Sequence, residues 1–228
     1  AKYLHDSLPN ATYVGFTGTP VDGTIEVFGG VVDAYTMTEA VKDGITVNLV
    51  YDGRAAKVML NQDKVRQIEE YYAQCELEGA NESQKAVAKM EVIIGDPDRL
   101  RAVAEDFIKH YETRVAEGAT VAGKAMFVCS NRNIAYDFYK IVKELRPEWT
   151  EKKICDDGVV LSEKDKKELK PMEKIKLVMT RNKDDEKDLF DMLGTKEDRK
   201  EFDRQFKNPK SNFKIAIVVD MWLTGFDV

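Results

Sequence analysis

Ile215-Ala216-Ile217-Val218-Val219 is an unbroken apolar run, and it constrains the fold more than any other stretch of the chain. With no alternation of apolar and polar positions, such a run suits a strand covered on both faces, the habit of parallel sheets in α/β proteins. It leads into Asp220-Met221-Trp222-Leu223-Thr224-Gly225-Phe226-Asp227. Hydroxyl, glycine and carboxylate thus stand together at the carboxyl end of a strand, where open α/β sheets bind their ligands. The sequence stops at Val228 with no closing Gly, Lys or Pro and no polar tail. It therefore reads as a piece of a larger protein.

The neighbouring sequence repeats the style. Lys124 to Cys129 is a buried-strand run, and Ile134, Ala135, Phe138, Ile141, Val142 and Leu145 then share one helical face that Pro147 closes. Lys176 to Thr180 is another short strand. Residues 149–171 are charged and loop-like, and the charged segment 181–212 is anchored by Leu189, Phe190, Leu193, Phe202 and Phe206. Strands alternating with helices imply a parallel or mixed sheet with right-handed crossovers. The clearest helix lies upstream. Asp96 caps it, Pro97 takes its first position, and Leu100, Val103, Ala104, Phe107, Ile108, Tyr111 and Val115 form one face, closed by Glu117-Gly118.

Nearer the start, Tyr3, Leu4 and Leu8 suit a helical turn broken by Pro9-Asn10. Residues 11–16 read as a strand and 21–33 as a glycine-bearing connector. Residues 35–41 read as a short helix capped by Thr38 and ended by Asp43-Gly44. Residues 45–51 alternate like a strand, and 54–94 read as two polar helices parted near Gly79.

Composition narrows the function. The chain is 43% apolar and carries a net charge of -6, so it can bury a core and is no polycation that binds nucleic acid by bulk charge. A local groove contact stays open. Cys75, Cys129 and Cys155 include no Cys-x-x-Cys pair, which suggests reduced thiols in a cytosolic setting. With His5 and His110 the only histidines, a zinc site finds little to assemble from. No apolar run approaches the ~18 residues of a membrane span, and Lys2-Tyr3-Leu4-His5-Asp6 is no signal peptide.

Four strand ends carry the same chemistry: Phe16-Thr17-Gly18-Thr19, Cys129-Ser130-Asn131-Arg132, Met179-Thr180-Arg181 and Leu223-Thr224-Gly225-Phe226-Asp227. Hydroxyls, free amides and an occasional arginine hold phosphate oxygens. On parallel strands these ends converge on one edge, which suits a polyphosphate or a nucleic-acid backbone. Each one alone is better explained by helix capping, whereas four on successive strands favour a functional edge. Asp220 reads as a turn residue, and Trp222 as a base-stacking or packing residue. No Gly-x-x-x-x-Gly-Lys-Ser/Thr loop is present. Gly118 to Ala125 has its glycine and lysine spacing, but ends in alanine and precedes a strand instead of following one. There is no Asp-Glu pair for magnesium after an apolar strand, and Glu151-Lys152-Lys153 matches a nuclease triplet no better than chance in so charged a chain.

Gly15-Phe16-Thr17-Gly18-Thr19-Pro20 resembles the third helicase motif of the motor (R) subunits of type I restriction enzymes, and Val218 to Asp227 resembles their fifth. Ala40 to Gly44 and Gly123 to Val128 also look like that family, and Cys129-Ser130-Asn131-Arg132 with Ala135 stands where its fourth motif would fall. The resemblance implies an α/β, RecA-like (P-loop NTPase-type) second motor lobe, its mostly parallel sheet flanked by helices, plus one strand left from the first lobe. Residues 1–24 would be the first-lobe remnant, 25–121 a linker and helical segment, and 122–228 the second-lobe core, cut before the sixth motif.

By the same resemblance, Thr17, Gly18 and Thr19 couple nucleotide to DNA. Ser130, Arg132, Thr180 and Thr224 face the DNA backbone, and Gly225 and Asp227 join ATP to DNA. The intact parent would use ATP and Mg2+ to move along duplex DNA and would cleave it through a separate nuclease domain. It would work in the cytoplasm beside methyltransferase and specificity subunits, away from membranes. The fragment itself is expected to hold no cofactor and to be inactive. Two other readings remain: a stand-alone α/β phosphate- or nucleotide-binding protein using Thr17 to Thr19 and Asp220, or a non-enzymatic interaction module docking through 54–117. Strand 11–16, cut from its neighbours, is expected to pack unnaturally, pair with another copy or move.

Overall fold

In the computed structural model the chain divides into two units, residues 1–54 and 55–228, and the structure describes residues 2–18, 22–54, 66, 70, 93–118 and 123–223. The first unit holds three short helices, Lys2–Ser7 (α1), Asp22–Phe28 (α2) and Met37–Lys42 (α3). α1 stops ahead of Pro9-Asn10, as the sequence suggests. α2 replaces the expected connector and ends at Gly29, whose φ is +85°. α3 is capped by Thr36, not Thr38. The Thr36 hydroxyl accepts from the Glu39 amide, and the Glu39 carboxylate accepts from the Thr36 amide. Glutamate three residues on selects this cap, because the box satisfies two helix-end donors at once.

Neither 11–16 nor 45–51 is a strand. Among the described residues of this unit there is no strand, and an apolar segment without a ladder partner cannot become one. Phe16, Val47 and Val50 are accordingly exposed. Packing here includes a short cluster of rings, with Tyr13 centred 5.1 Å from a tilted His5 and 6.5 Å from an edge-on Phe28.

Most of 54–94 lies outside the described residues. The second unit then opens with helix Pro97–Ala116 (α4), where Asp96 Oδ1 accepts from the Asp98 and Arg99 amides. Leu100, Ala104, Ile108 and Tyr111 are buried on its predicted face, while Val115 at its end is exposed. Strand Ala125–Val128 (β1) leads to helix Arg132–Leu145 (α5), which ends before the 3-10 turn Pro147–Thr150. The charged stretch that follows holds one helix, Glu163–Glu168 (α6), before strand Ile175–Val178 (β2). Helices Lys187–Met192 (α7) and Lys196–Lys207 (α8) return the chain to strand Ile215–Val218 (β3).

The sheet is parallel in the order β1-β3-β2. Ile215, Ile217, Ile175, Leu177, Ala125 and Phe127 point to one face, covered by α5 with α4 packed against it. Ala216, Val218 and Val178 point to the other, covered by Phe202 and Phe206 of α8 with Phe213 and Met172. The β1-to-β2 and β2-to-β3 connections run in opposite directions across the sheet and use opposite faces. They therefore have the same hand, as parallel crossovers require.

β2 and β3 are buried throughout, as the unbroken apolar run of β3 predicts; in β2 even Lys176 is buried, its ammonium donating to Glu173 at 2.9 Å. β1 is not. Met126 is 42% and Val128 50% exposed. β1 is an edge strand, and α8 covers the second face over β2 and β3 without reaching these two side chains.

Gly194 joins α7 to α8 with φ +64°, and a Cβ there would stand 2.7 Å from Asp198 Cβ. Asp198 cannot yield, because its carboxylate closes the Thr195 capping box. Gly194→Ala should therefore cost roughly 1–3 kcal/mol, read as a fall in urea midpoint; an unchanged midpoint would show that the turn relaxes freely.

Candidate functional site

Val128, Val218 and Val178 stand side by side in the register of the sheet, so the residues after each strand emerge along one edge. Two of the four strand ends singled out in the sequence, those after β1 and β2, meet here beside the end of β3. The Cys129 amide extends the ladder by donating to the Val218 carbonyl at 2.9 Å, which leaves Ser130 exposed beyond it. Asn131 then caps α5, its Oδ1 accepting from the Ile134 amide at 2.9 Å. That cap holds the first turn of α5 over the sheet edge and places Arg132 beside the end of β2.

Arg132 ties two strand ends together. Its Nη1 donates to the Thr180 carbonyl at 2.7 Å, and its Nη2 reaches both carboxylate oxygens of Asp185 at 2.6 Å. The Thr180 side chain stays on the exposed surface. The second arginine of this edge is also held internally: Arg181 Nε donates to the Phe190 carbonyl at 2.8 Å, with the guanidinium 4.4 Å from the Phe190 ring centre. Cys129 is no nucleophile, since burial pushes its thiol up to about 12.

The third strand end turns sharply. Asp220 and Trp222 take φ of 58° and 62°, and the Met221 amide donates back to the Val219 carbonyl at 2.7 Å. Asp220 is exposed at this turn. Trp222 packs inside its own unit, 5.3 Å from the Phe206 ring. Thr224, Gly225 and Asp227 lie outside the described residues, as does Thr19. Thr17 and Gly18 belong to the first unit, where both are exposed. Ser130, Arg132 and Thr180 are thus the predicted residues brought together. Asp185 and Asn182, which complete their setting, were not foreseen. The only signal was an acidic run, Asp184-Asp185-Glu186, close behind a strand end.

Gly123-Lys124 precedes β1, and the Lys124 ammonium donates to the Phe213 carbonyl at 2.6 Å while lying 5.0 Å from the Phe206 ring centre. Its charge is thus directed at the amino end of the sheet, opposite the edge described above. Glu151 and Lys153 form a surface ion pair at 3.7 Å. Among the described residues no group of His, Cys, Asp and Glu is arranged to hold a metal ion, and no helix is long and apolar enough to cross a membrane.

A parallel three-stranded sheet flanked by helices, with hydroxyl and arginine residues on its carboxyl edge, is the architecture of a RecA-like lobe, and the SWI2/SNF2 ATPase family matches residues 1–86. Over its whole length the chain is 35% identical to the type I restriction enzyme HindI endonuclease subunit of Haemophilus influenzae, of which it covers 20%. It is 32% identical, again over its whole length, to the putative type I restriction enzyme MjaIXP endonuclease subunit of Methanocaldococcus jannaschii, covering 20% of that protein. A second protein of that organism, the putative MjaVIIP endonuclease subunit, is 27% identical over 97% of the chain. The homologues of this chain are type I restriction enzyme endonuclease subunits, and it spans about a fifth of their length. No solved structure matches it.

Proposed function

We propose that this chain is the helicase-like segment of an ATP-dependent DNA translocase, within the endonuclease subunit of a cytoplasmic type I restriction-modification enzyme. The single observation that carries the reading is the joining of two strand ends through Arg132, with the exposed Ser130 and Thr180 beside it, in a chain whose full length matches endonuclease subunits. Ser130, Arg132, Thr180 and Thr224 contact the backbone of duplex DNA. Thr17, Gly18 and Thr19, with Gly225 and Asp227, transmit the nucleotide state to that contact. ATP and Mg2+ bind in the intact parent through residues this segment does not supply, so the segment alone neither hydrolyses ATP nor cuts DNA. Methyltransferase and specificity subunits complete the parent assembly.

The test is Arg132→Ala and Thr224→Ala in the intact parent, with circular dichroism as the check on folding. Both should abolish translocation and depress DNA-stimulated ATP hydrolysis by at least about tenfold, the loss expected when a charge-assisted phosphate contact is removed. Normal DNA-stimulated hydrolysis in both variants, with the fold intact, would sink the reading.

A further inference from the structure

Arg132 is already occupied by an anion of the chain's own. Its Nη2 holds both Asp185 oxygens at 2.6 Å. The Asp185 side chain is 5% exposed and that of Arg132 28%, so the pair is closed on the acid's side and open on the arginine's. The acid is aimed from behind. The Asn182 amide donates to Asp185 Oδ2 at 2.7 Å, and the Asp185 amide donates to the Asn182 carbonyl at 3.2 Å. Around it, residues 182–191 carry Asp184, Glu186, Asp188 and Asp191 against only Lys183 and Lys187. A carboxylate and a phosphate present the same pair of oxygens to a guanidinium. An acidic loop set over the one arginine of Ser130-Asn131-Arg132 thus copies a stretch of nucleic-acid backbone.

We propose that Asp185 is an internal stand-in for a backbone phosphate, seated on Arg132 when no DNA is bound and displaced when DNA arrives. The proposal rests on the reading of Arg132 as a DNA-backbone contact. It gives the site a selectivity that the arginine alone would lack. A tethered carboxylate competes at an effective concentration on the order of millimolar or above, so a single free phosphate does not dislodge it. A polyanion that engages Ser130, Thr180 and Arg132 together does. The apparent affinity for DNA is lowered by the fraction of time the pair is closed.

The test is fluorescence anisotropy with a labelled duplex of about 20 base pairs and the full chain. Asp185→Asn should tighten binding by roughly five- to tenfold, because the neutral amide no longer competes as an anion. It should also steepen the salt dependence by about one released counterion. Asp188→Asn, which removes an equal charge from the loop, should change affinity by no more than about twofold. Arg132→Ala should weaken binding, and adding Asp185→Asn to it should restore nothing.

If Arg132→Ala weakens binding but Asp185→Asn does not tighten it, the stand-in is wrong and the Arg132 contact survives. If Arg132→Ala has no effect, or if neither the unaltered chain nor Asp185→Asn binds the duplex, the underlying reading fails and the proposal with it. Should Asp185→Asn not fold, amide exchange on the unaltered chain decides. DNA should speed exchange at Asn182, whose amide is held by the Asp185 carboxylate, whereas unchanged or slower exchange overturns the proposal. Inorganic phosphate at millimolar concentration should leave the Asn182 amide protected, and faster exchange with phosphate alone overturns the claimed selectivity.

Discussion

Phe138→Ala should destabilise the second unit by roughly 3–5 kcal/mol, enough to leave a marginal domain largely unfolded. Phe138 is fully buried on the sheet-facing side of α5. Its ring stacks on Phe127 of β1 at 3.9 Å between centres and 5° between planes, and meets Phe107 of α4 edge-on at 5.7 Å. One side chain thus joins the edge strand, the crossover helix and the outer helix. Alanine would leave a ring-sized void between three elements that cannot all collapse into it. Urea denaturation followed by far-ultraviolet circular dichroism measures the loss, and Phe138→Leu should recover more than half of it. A loss below about 1 kcal/mol would mean that α4 is not held through this contact.

The stability of the same unit should rise between pH 7 and pH 9 and turn over above that. Burial, followed by the charge of Lys214, lowers the Lys124 ammonium to about 7, with Asp156 opposing. Between 7 and the ordinary 10.5 the unfolded chain keeps a proton that the folded chain releases, so stability grows with pH. Burial also raises the Cys129 thiol and the Tyr139 hydroxyl to about 12. Above their ordinary values of 9 and 10 the folded chain keeps protons that the unfolded chain loses, and stability falls with pH.

Discounted for the part of Lys124 still in water, the rise is about 1–2 kcal/mol, or roughly 3–6 °C in Tm. Lys124→Met should abolish it. The methionine also forfeits the bond to the Phe213 carbonyl, but that cost is the same at pH 7 and pH 9, so the difference between the two isolates the titration. A rise that persists in Lys124→Met would assign it to another group.

Where a signal was local, the sequence carried it. Asp96, Pro97 and the periodic face from Leu100 to Tyr111 mark α4 because cap and period lie within one element. The apolar run of β3 marks the central strand for the same reason. Where the outcome depends on distant partners, the pattern misleads. Ala125-Met126-Phe127-Val128 has the composition of a doubly covered strand, yet α8 covers the second face only over β2 and β3 and leaves that side of β1 open. Residues 11–16 and 45–51 alternate or run apolar like strands, but pairing needs a neighbour that the first unit's described residues do not offer.

The cap at Thr36 was readable, since Glu39 follows it at capping-box spacing whereas Val41 follows Thr38. α2 was hidden by its glycine. At the candidate site, Ser130, Arg132 and Thr180 were legible as strand-end residues. Asp185 was not, because it meets Arg132 across 53 residues of chain and no spacing rule links them.

The open side of β1 has a practical meaning. Among the described residues no strand pairs with its outer edge, so a row of backbone donors and acceptors lies beside the apolar surfaces of Met126 and Val128. Two such edges meeting would satisfy both sets of hydrogen bonds and hide both pairs of side chains. For a laboratory that purifies this segment by itself, protein concentration is therefore the variable to watch, and Met126→Lys is the change that would keep preparations dispersed without touching the carboxyl edge where Arg132 sits.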